Sequence, residues 1–255
     1  MSKTDVQGFE LDKNGFVKLK KSNADLAQKS VDNLAKENGK KSKNTKKALP
    51  AIREDDLSKN ELRELIQKES KKNFNDGFKS IIKKINDTNS THLSSEEQGK
   101  LDEYFSEYKE QVLNKIESGD MSIVNEIARV TENMGVSKSR YNFSFASKFC
   151  TYISRYLFEE YDKFMPYDQV LQAVLPYFAW AYCKIDPVKD FKKGKDYPGY
   201  IELVRAIIEK AQGIYNAPEK LTLKEFDRLL WYKYKGLPGE DLIGLEESVL
   251  KSNQQ

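Results

Sequence analysis

The sequence predicts an all-α protein: a single multi-helix domain behind a basic arm. Three observations give that class. Apolar residues of the body recur at three- and four-residue spacing, as in Phe74, Phe78, Ile81, Ile82 and Ile85, which gathers them on one helix face. No stretch of the body alternates apolar and polar residues as a half-buried strand would. Apolar residues make up only 38% of the chain against 33% charged, and they crowd into one block, Tyr141 to Trp180. A long stretch elsewhere is therefore expected to add little to a core.

Residues 1–53 read as a flexible basic arm. Within it, Phe9-Glu-Leu11 and Phe16-Val-Lys-Leu19 alternate enough for a short hairpin or a strand that docks a protein partner through residues 9–19. KENGKKSKNTKK follows as lysine-rich low complexity, fit either to hold phosphate backbone or to act as a solubilising linker.

The α-helical domain is expected over residues 54–235. Leu57, Leu62, Leu65 and Ile66 form a first stripe, opened by a Ser58-x-x-Glu61 capping box. Phe74 to Ile85 form the second, and Asp87 to Ser90 read as a loop. Ser94 caps a long helix with a stripe from Leu101 through Tyr104, Phe105, Tyr108, Val112 and Leu113 to Ile116. Ser118-Gly-Asp120 breaks it, and Met121, Val124, Ile127 and Val130 mark a short helix. Beyond a Gly135-Val-Ser137 turn, Phe145, Phe149, Tyr152, Ile153, Tyr156 and Leu157 have helical spacing. Pro166 ends that run, and a helix starts at Tyr167 or Asp168, kinked or split by Pro176. Residues 186–199 read as a loop. A helix through Ile201, Leu203, Val204, Ile207 and Ile208 ends at Gly213, and Thr222 caps another carrying Phe226, Leu229, Leu230 and Trp231. Residues 236–255 are a polar tail.

Composition excludes several classes. No run of 18 apolar residues exists, so no membrane span is expected. The first residues lack an apolar signal region, which predicts a cytoplasmic protein. Cys150 and Cys183 lie in apolar helical context and read as free buried thiols. His92 is the only histidine, so neither a zinc site nor a histidine triad is expected, and no cofactor is implied. Residues 1–53 carry 13 Lys/Arg against 6 Asp/Glu, while the remainder carries 30 against 34. The positive balance therefore belongs to the arm, and the body is mildly acidic.

Two residues carry the chemistry. Lys148 sits among small and aromatic neighbours, where burial would lower its pKa and make the amine nucleophilic. Asp168, at the first turn of a helix, can cap it and still offer an oxygen to developing positive charge on a sugar. An amine and a carboxylate from two helix starts suit attack at an anomeric carbon. The structural alternative is an N-cap at Asp168 and a lysine that pairs with it or extends its amine to solvent.

Ser144-Phe-Ala-Ser-Lys148-Phe-Cys150, Met165-Pro-Tyr-Asp168-Gln-Val170 and Leu223-Lys-Glu-Phe-Asp-Arg-Leu-Leu-Trp231 resemble three motifs of a widespread bacterial helical domain. Those motifs read S-F-A-S-K-x-C, P-I-Y-D-S-x-V and K-E-x-D-x-x-L-W, and the match spans about residues 118–235. That domain is in turn distantly similar to helix-hairpin-helix DNA glycosylases. The resemblance implies a DNA-binding protein of bacterial or phage origin, acting on modified or damaged bases, with Lys148 as nucleophile and Asp168 stabilising the sugar cation. It implies a flipped nucleotide contacted by Tyr141, Phe143, Ser144, Ser147 or Tyr167, although the aromatic residues read equally as core. This chain departs from the glycosylase pattern in three places. Phe143-Ser-Phe-Ala-Ser147 replaces the L-P-G-V-G hairpin, with a partial echo at Met134-Gly-Val-Ser-Lys138; Gln169 stands where a histidine follows the aspartate; and no four-cysteine cluster follows. Lys138, Arg140, Lys192 and Lys193 are the expected phosphate contacts. Lys192 and Lys193 belong to a loop with Lys184, Lys189 and Lys195 that reads alternatively as a solvated surface. The second functional class is a non-catalytic helical module that docks a partner through the arm.

Overall fold

A computed structural model describes residues 9–11, 17–19, 60–75, 77–89, 91–132, 140–215 and 222–227. The expected Ser58 capping position, Lys138, Trp231 and the polar tail lie outside these residues. The body is all-α among the described residues, and the only strands among them are a short antiparallel pair in the first twenty residues, outside the body. There β1 (Phe9–Leu11) pairs with β2 (Val17–Leu19), with Phe9 opposite Leu19 and Leu11 opposite Val17, as the alternating patch predicts.

The chain divides into two compact units. One takes in residues 56–167 and 195–198, and the other takes in residues 168–194 with the segments 1–55 and 199–255. The first unit holds α1 (Asn60–Lys71), α2 (Lys79–Asn89), α3 (Ser95–Glu107), α4 (Lys109–Ser118), α5 (Ser122–Arg129) and α6 (Phe143–Leu157). At its centre is α6, against which α1, α2, α4 and α5 pack. Eleven of its fifteen residues are buried, with Ser147, Lys148, Thr151, Ser154 and Arg155 among them, so it is enclosed nearly all round, as a central helix must be. Phe149 of α6 stacks on Phe105 of α3 with ring centroids 4.2 Å apart, and Phe78 packs edge-on to the same ring at 6.0 Å. Each buried ring of this kind contributes about 1.5–3 kcal/mol.

Helix ends follow local chemistry. Ser94 Oγ accepts the Glu97 N–H, and the Glu97 carboxylate accepts the Ser94 N–H, a complete capping box at α3. Gly119 closes α4 in the left-handed conformation at φ 80°, a place suited to glycine.

Two expectations change in this unit. The long helix from Ser94 is two helices, broken at Tyr108, whose φ of −108° and ψ of 24° leave the α region. Tyr108 is consequently 42% exposed rather than part of the inward stripe. The loop expected from Asp87 is helical through Asn89. The extra turn has side-chain support: Thr88 Oγ1 donates to the Lys84 carbonyl, and Lys148 Nζ donates to the Asn89 carbonyl at 2.8 Å.

The second unit contains α7 (Gln169–Phe178), which runs directly into a π-helical turn, Ala179–Cys183. Pro176 lies inside α7. It supplies no N–H to the ladder, and the wider π-turn follows three residues on, the kind of helix irregularity that proline provokes. Phe178 packs against Tyr182 and, edge-on, Phe226. The turn at Thr222 is capped, with the Glu225 N–H donating to Thr222 Oγ1. Helix α8 (Tyr197–Tyr215) starts in the first unit and continues in the second. It begins within the expected loop and passes through Gly213, because a single glycine costs a helix only about 1 kcal/mol, which the burial of Tyr200, Ile201, Val204 and Ile207 outweighs.

Candidate functional site

The start of α6 gathers most of the residues that the sequence singles out. Phe143 is fully buried and meets Tyr167 edge-on at 5.0 Å and Tyr197 at 5.9 Å. Tyr197 braces the segment before Asp168 from the other side: its hydroxyl donates to the Met165 carbonyl and accepts the Met165 N–H, both at 2.8 Å. Tyr167 is 3% exposed, so of the three candidate base-contacting rings only Tyr141 is half-buried. Tyr141 lies parallel to Phe143 at 5.7 Å, and its hydroxyl donates to Asn125 Oδ1 at 2.6 Å. Burial pushes its phenol up to about 12. The Lys195 ammonium sits 5.0 Å over the same ring and also pairs with Glu132.

Ser147 and Lys148 point their polar ends to different neighbours. Ser147 Oγ donates to the Ser144 carbonyl and accepts the Tyr167 N–H at 2.9 Å, a buried bond spanning twenty residues of sequence. Lys148 is 7% exposed, and its Nζ caps the Asn89 carbonyl at the end of α2. The carbonyl end of a helix favours a cation there. Tyr152, one helical turn on, donates to Asn89 Oδ1 at 2.6 Å, so residues of α6 grip both oxygens of Asn89. Asn89 is a member of this site that the sequence does not announce, because its partners lie about sixty residues away.

Asp168 belongs to the second unit. Its Oδ1 accepts the Leu171 N–H at 3.1 Å, and its carbonyl accepts from the Gln172 N–H, an N-cap of α7 as expected. The structure therefore brings Tyr141, Phe143, Ser144, Ser147, Lys148 and Tyr167 together in one unit, with Asp168 opening the other.

Arg140 is engaged inside the first unit. Its guanidinium meets the Glu97 carboxylate through Nε at 3.0 Å and Nη2 at 3.2 Å, and reaches the His92 carbonyl. Asn142 Nδ2 joins at 2.8 Å and also donates to Thr131 Oγ1, which donates to the Arg140 carbonyl. Burial alone would raise the Glu97 carboxyl. The Arg140, Ser94 and Asn142 hydrogen bonds and the Arg140 charge outweigh it and hold the group below the ordinary carboxylate value. Ser94 is the sequence signal for the cap; the use of Glu97 to close it and to anchor the entry to α6 has none. Lys192 and Lys193 are exposed in the second unit. Cys150 is buried, with its thiol pushed well up by burial, and Cys183 is half-buried; both are free. No group of histidine, cysteine or carboxylate side chains among the described residues is arranged to hold a metal, and no helix among them is long and apolar enough to cross a membrane.

The family model HI_0787_N, an N-terminal domain, matches residues 18–157. The match ends at the last residue of α6, so it takes in Lys148 but not Asp168. A protein of Haemophilus influenzae that carries only the name "Uncharacterized protein" is 30% identical over 117 residues, or 46% of this chain and 47% of that protein. The chain thus spans about half the length of that curated relative. No solved structure matches it significantly. With more than half of its residues under the family model, the chain belongs to the HI_0787_N family.

Proposed function

We propose that this chain is a DNA glycosylase-like enzyme that releases a modified or damaged base, with Lys148 as the attacking amine and Asp168 as the stabilising carboxylate. The reading rests on the motif resemblance and on one observation: the residue before Lys148 and the residue before Asp168 are joined by the buried Ser147–Tyr167 hydrogen bond. A bond that links the two motif segments at these positions is a use for their spacing beyond core packing. In the reaction, the neutral Lys148 amine attacks C1′ of an extruded nucleotide as the N-glycosidic bond breaks. The departing base keeps the bonding electron pair and takes up the proton that the alkylated amine sheds. The neutral adduct then opens to a protonated imine as the ring oxygen leaves and takes a proton from solvent, and water returns the free lysine and an abasic aldehyde. The Asp168 carboxylate opposes the positive charge that builds on the sugar. Tyr141 offers a half-buried face for the extruded base.

Trapping tests this directly. Duplexes carrying oxidised, alkylated or deaminated bases are incubated with the full chain and borohydride, which reduces an imine to a stable amine link. The wild-type protein is expected to give a covalent adduct with at least one duplex. Lys148→Gln should give none, and Asp168→Asn should release base far more slowly, both with unchanged circular dichroism. Full base release by folded Lys148→Gln refutes the assignment.

A second reading follows from the Lys148–Asn89 bond, which an ordinary helix cap also makes. In that reading the chain is a non-catalytic module that docks a protein partner through residues 9–19, and Lys148→Gln changes stability alone.

A further inference from the structure

One ring of the first unit is already occupied by a cation. Tyr141 lies parallel to Phe143, which is fully buried, with ring centroids 5.7 Å apart. The Lys195 ammonium, in the same unit, stands 5.0 Å over the Tyr141 ring, close enough for the ring's electron density to attract it. The Lys195 side chain is 37% exposed, so it covers the ring from the solvent side. Both carboxylate oxygens of Glu132 accept its ammonium, the farther one at 2.7 Å. The Tyr141 hydroxyl donates to Asn125 Oδ1, which fixes the ring beneath the amine.

The backbone of Lys195 is held as firmly as its amine. Its φ is 50°, in the left-handed region that a residue with a side chain enters at a cost. Such a residue stays there only where its surroundings hold it. Glu132 holds the side-chain end, and Tyr197, two residues on, is fully buried and bonded to Met165. Lys195 is therefore no loose surface lysine. Its amine has a set position, and that position is the outer face of the ring that the DNA reading offers to an extruded base.

We infer that Lys195 is a latch on Tyr141: its ammonium closes the stacking face in the resting protein and yields it to an extruded base. The latch rests on the DNA reading above and adds a gate to the same site. An extruded base brings a flat π-face in place of the ammonium. The released ammonium keeps Glu132 or turns to a phosphate beside the extruded sugar, so its charge stays matched.

The test is fluorine NMR on a duplex with one 5-fluorouracil mispaired with guanine, at saturating protein, where the strength of DNA binding no longer matters. Stacked and extruded fluorouracil give different resonances, and the released free base gives a third. Lys195→Met and Glu132→Gln both break the latch, yet they change the net charge in opposite directions. The ratio of extruded to stacked base is expected to rise about fivefold in Lys195→Met and about twofold in Glu132→Gln. It should stay at the wild-type value in Lys195→Arg, which keeps a cation over the ring, and neither gain should survive in a Tyr141→Leu background. Opposite shifts in the two variants would mark a charge effect and overturn the inference. Equal ratios in all proteins, a gain that persists without the ring, or no extruded resonance from any of them overturn it as well. A latch effect with no borohydride adduct on any damaged duplex removes the glycosylase assignment and leaves the latch standing; free fluorouracil with unchanged ratios does the reverse.

Discussion

Replacing Glu97 by glutamine removes one charge, keeps the shape, and should unfold the first unit several degrees earlier. The carboxylate is 4% exposed and receives four hydrogen bonds: Ser94 N–H and Arg140 Nη2 on Oε2, Arg140 Nε and Asn142 Nδ2 on Oε1. All four partners are donors. Whichever way a glutamine amide turns, its NH₂ group faces two of them. With its oxygen toward Ser94 the glutamine keeps the capping box, which glutamine also closes, and turns its NH₂ on Asn142 and Arg140. A buried amide deprived of a charged acceptor costs about 1–2 kcal/mol; Asn142 keeps Thr131 as a partner, which favours the lower figure. The Arg140 side chain is 44% exposed and can rehydrate, so its pairing adds only about 0.5–1 kcal/mol. The sum is about 2 kcal/mol, or a fall in Tm of about 4–8 °C for a body of this size. Thermal melts followed by circular dichroism measure it. Acid supplies a second check. Because Glu97 is held below its ordinary value in the folded state, its contribution is fully present above the unfolded carboxylate pKa of about 4.3 and fades as pH falls through the lowered folded value. Glu97→Gln should lack that part of the acid dependence. A melting point within about 1 °C of wild type, with the acid limb intact, would refute the network as an anchor.

Two further substitutions probe single contacts. Lys148→Met keeps the stem and deletes the bond to the Asn89 carbonyl; it should cost about 1 kcal/mol and speed amide hydrogen exchange at the end of α2 without changing exchange in α4. Gly119→Ala puts a side chain at φ 80° with its Cβ 3.3 Å from Lys163 Cδ, and it should cost about 1 kcal/mol or more in urea unfolding.

Where a helix end is written in neighbouring residues, the sequence shows it. Ser94, Gly119, and Asp168 after Pro166 all act locally, and all three ends fall where the pattern puts them. The break at Tyr108 carries neither glycine nor proline, so periodicity runs straight across it. The last turn of α2 is invisible for a different reason, since one of its caps arrives from Lys148, 59 residues later. The site was legible to the same degree. The motif spacing singled out Lys148 and Asp168, and the apolar block foretold that their surroundings would be packed. The bonds that organise those surroundings are long-range: Ser147 to Tyr167, Tyr197 to Met165, Arg140 to Glu97. Each joins polar groups whose sequence neighbours give no hint of the partner.

Phe145 to Lys148 of the S-F-A-S-K stretch are accounted for residue by residue in the resting protein. Phe145 and Ala146 are core, Ser147 holds the Tyr167 N–H, and Lys148 holds the end of α2. A catalytic lysine and a structural one would therefore look alike here until a substrate arrives. The two roles are compatible, because a backbone carbonyl is a suitable resting place for a nucleophilic amine. It accepts the ammonium's hydrogen bond without taking a proton, and attack then requires a side-chain rotation and the loss of one proton from the ammonium. Tyr152 meanwhile keeps its hold on the Asn89 side chain, so the end of α2 retains one tie to α6 while the amine is away. The difference between enzyme and module then reduces to one exchange, carbonyl for sugar carbon. Borohydride records that exchange as a covalent bond, whereas a cap that never leaves its carbonyl records nothing.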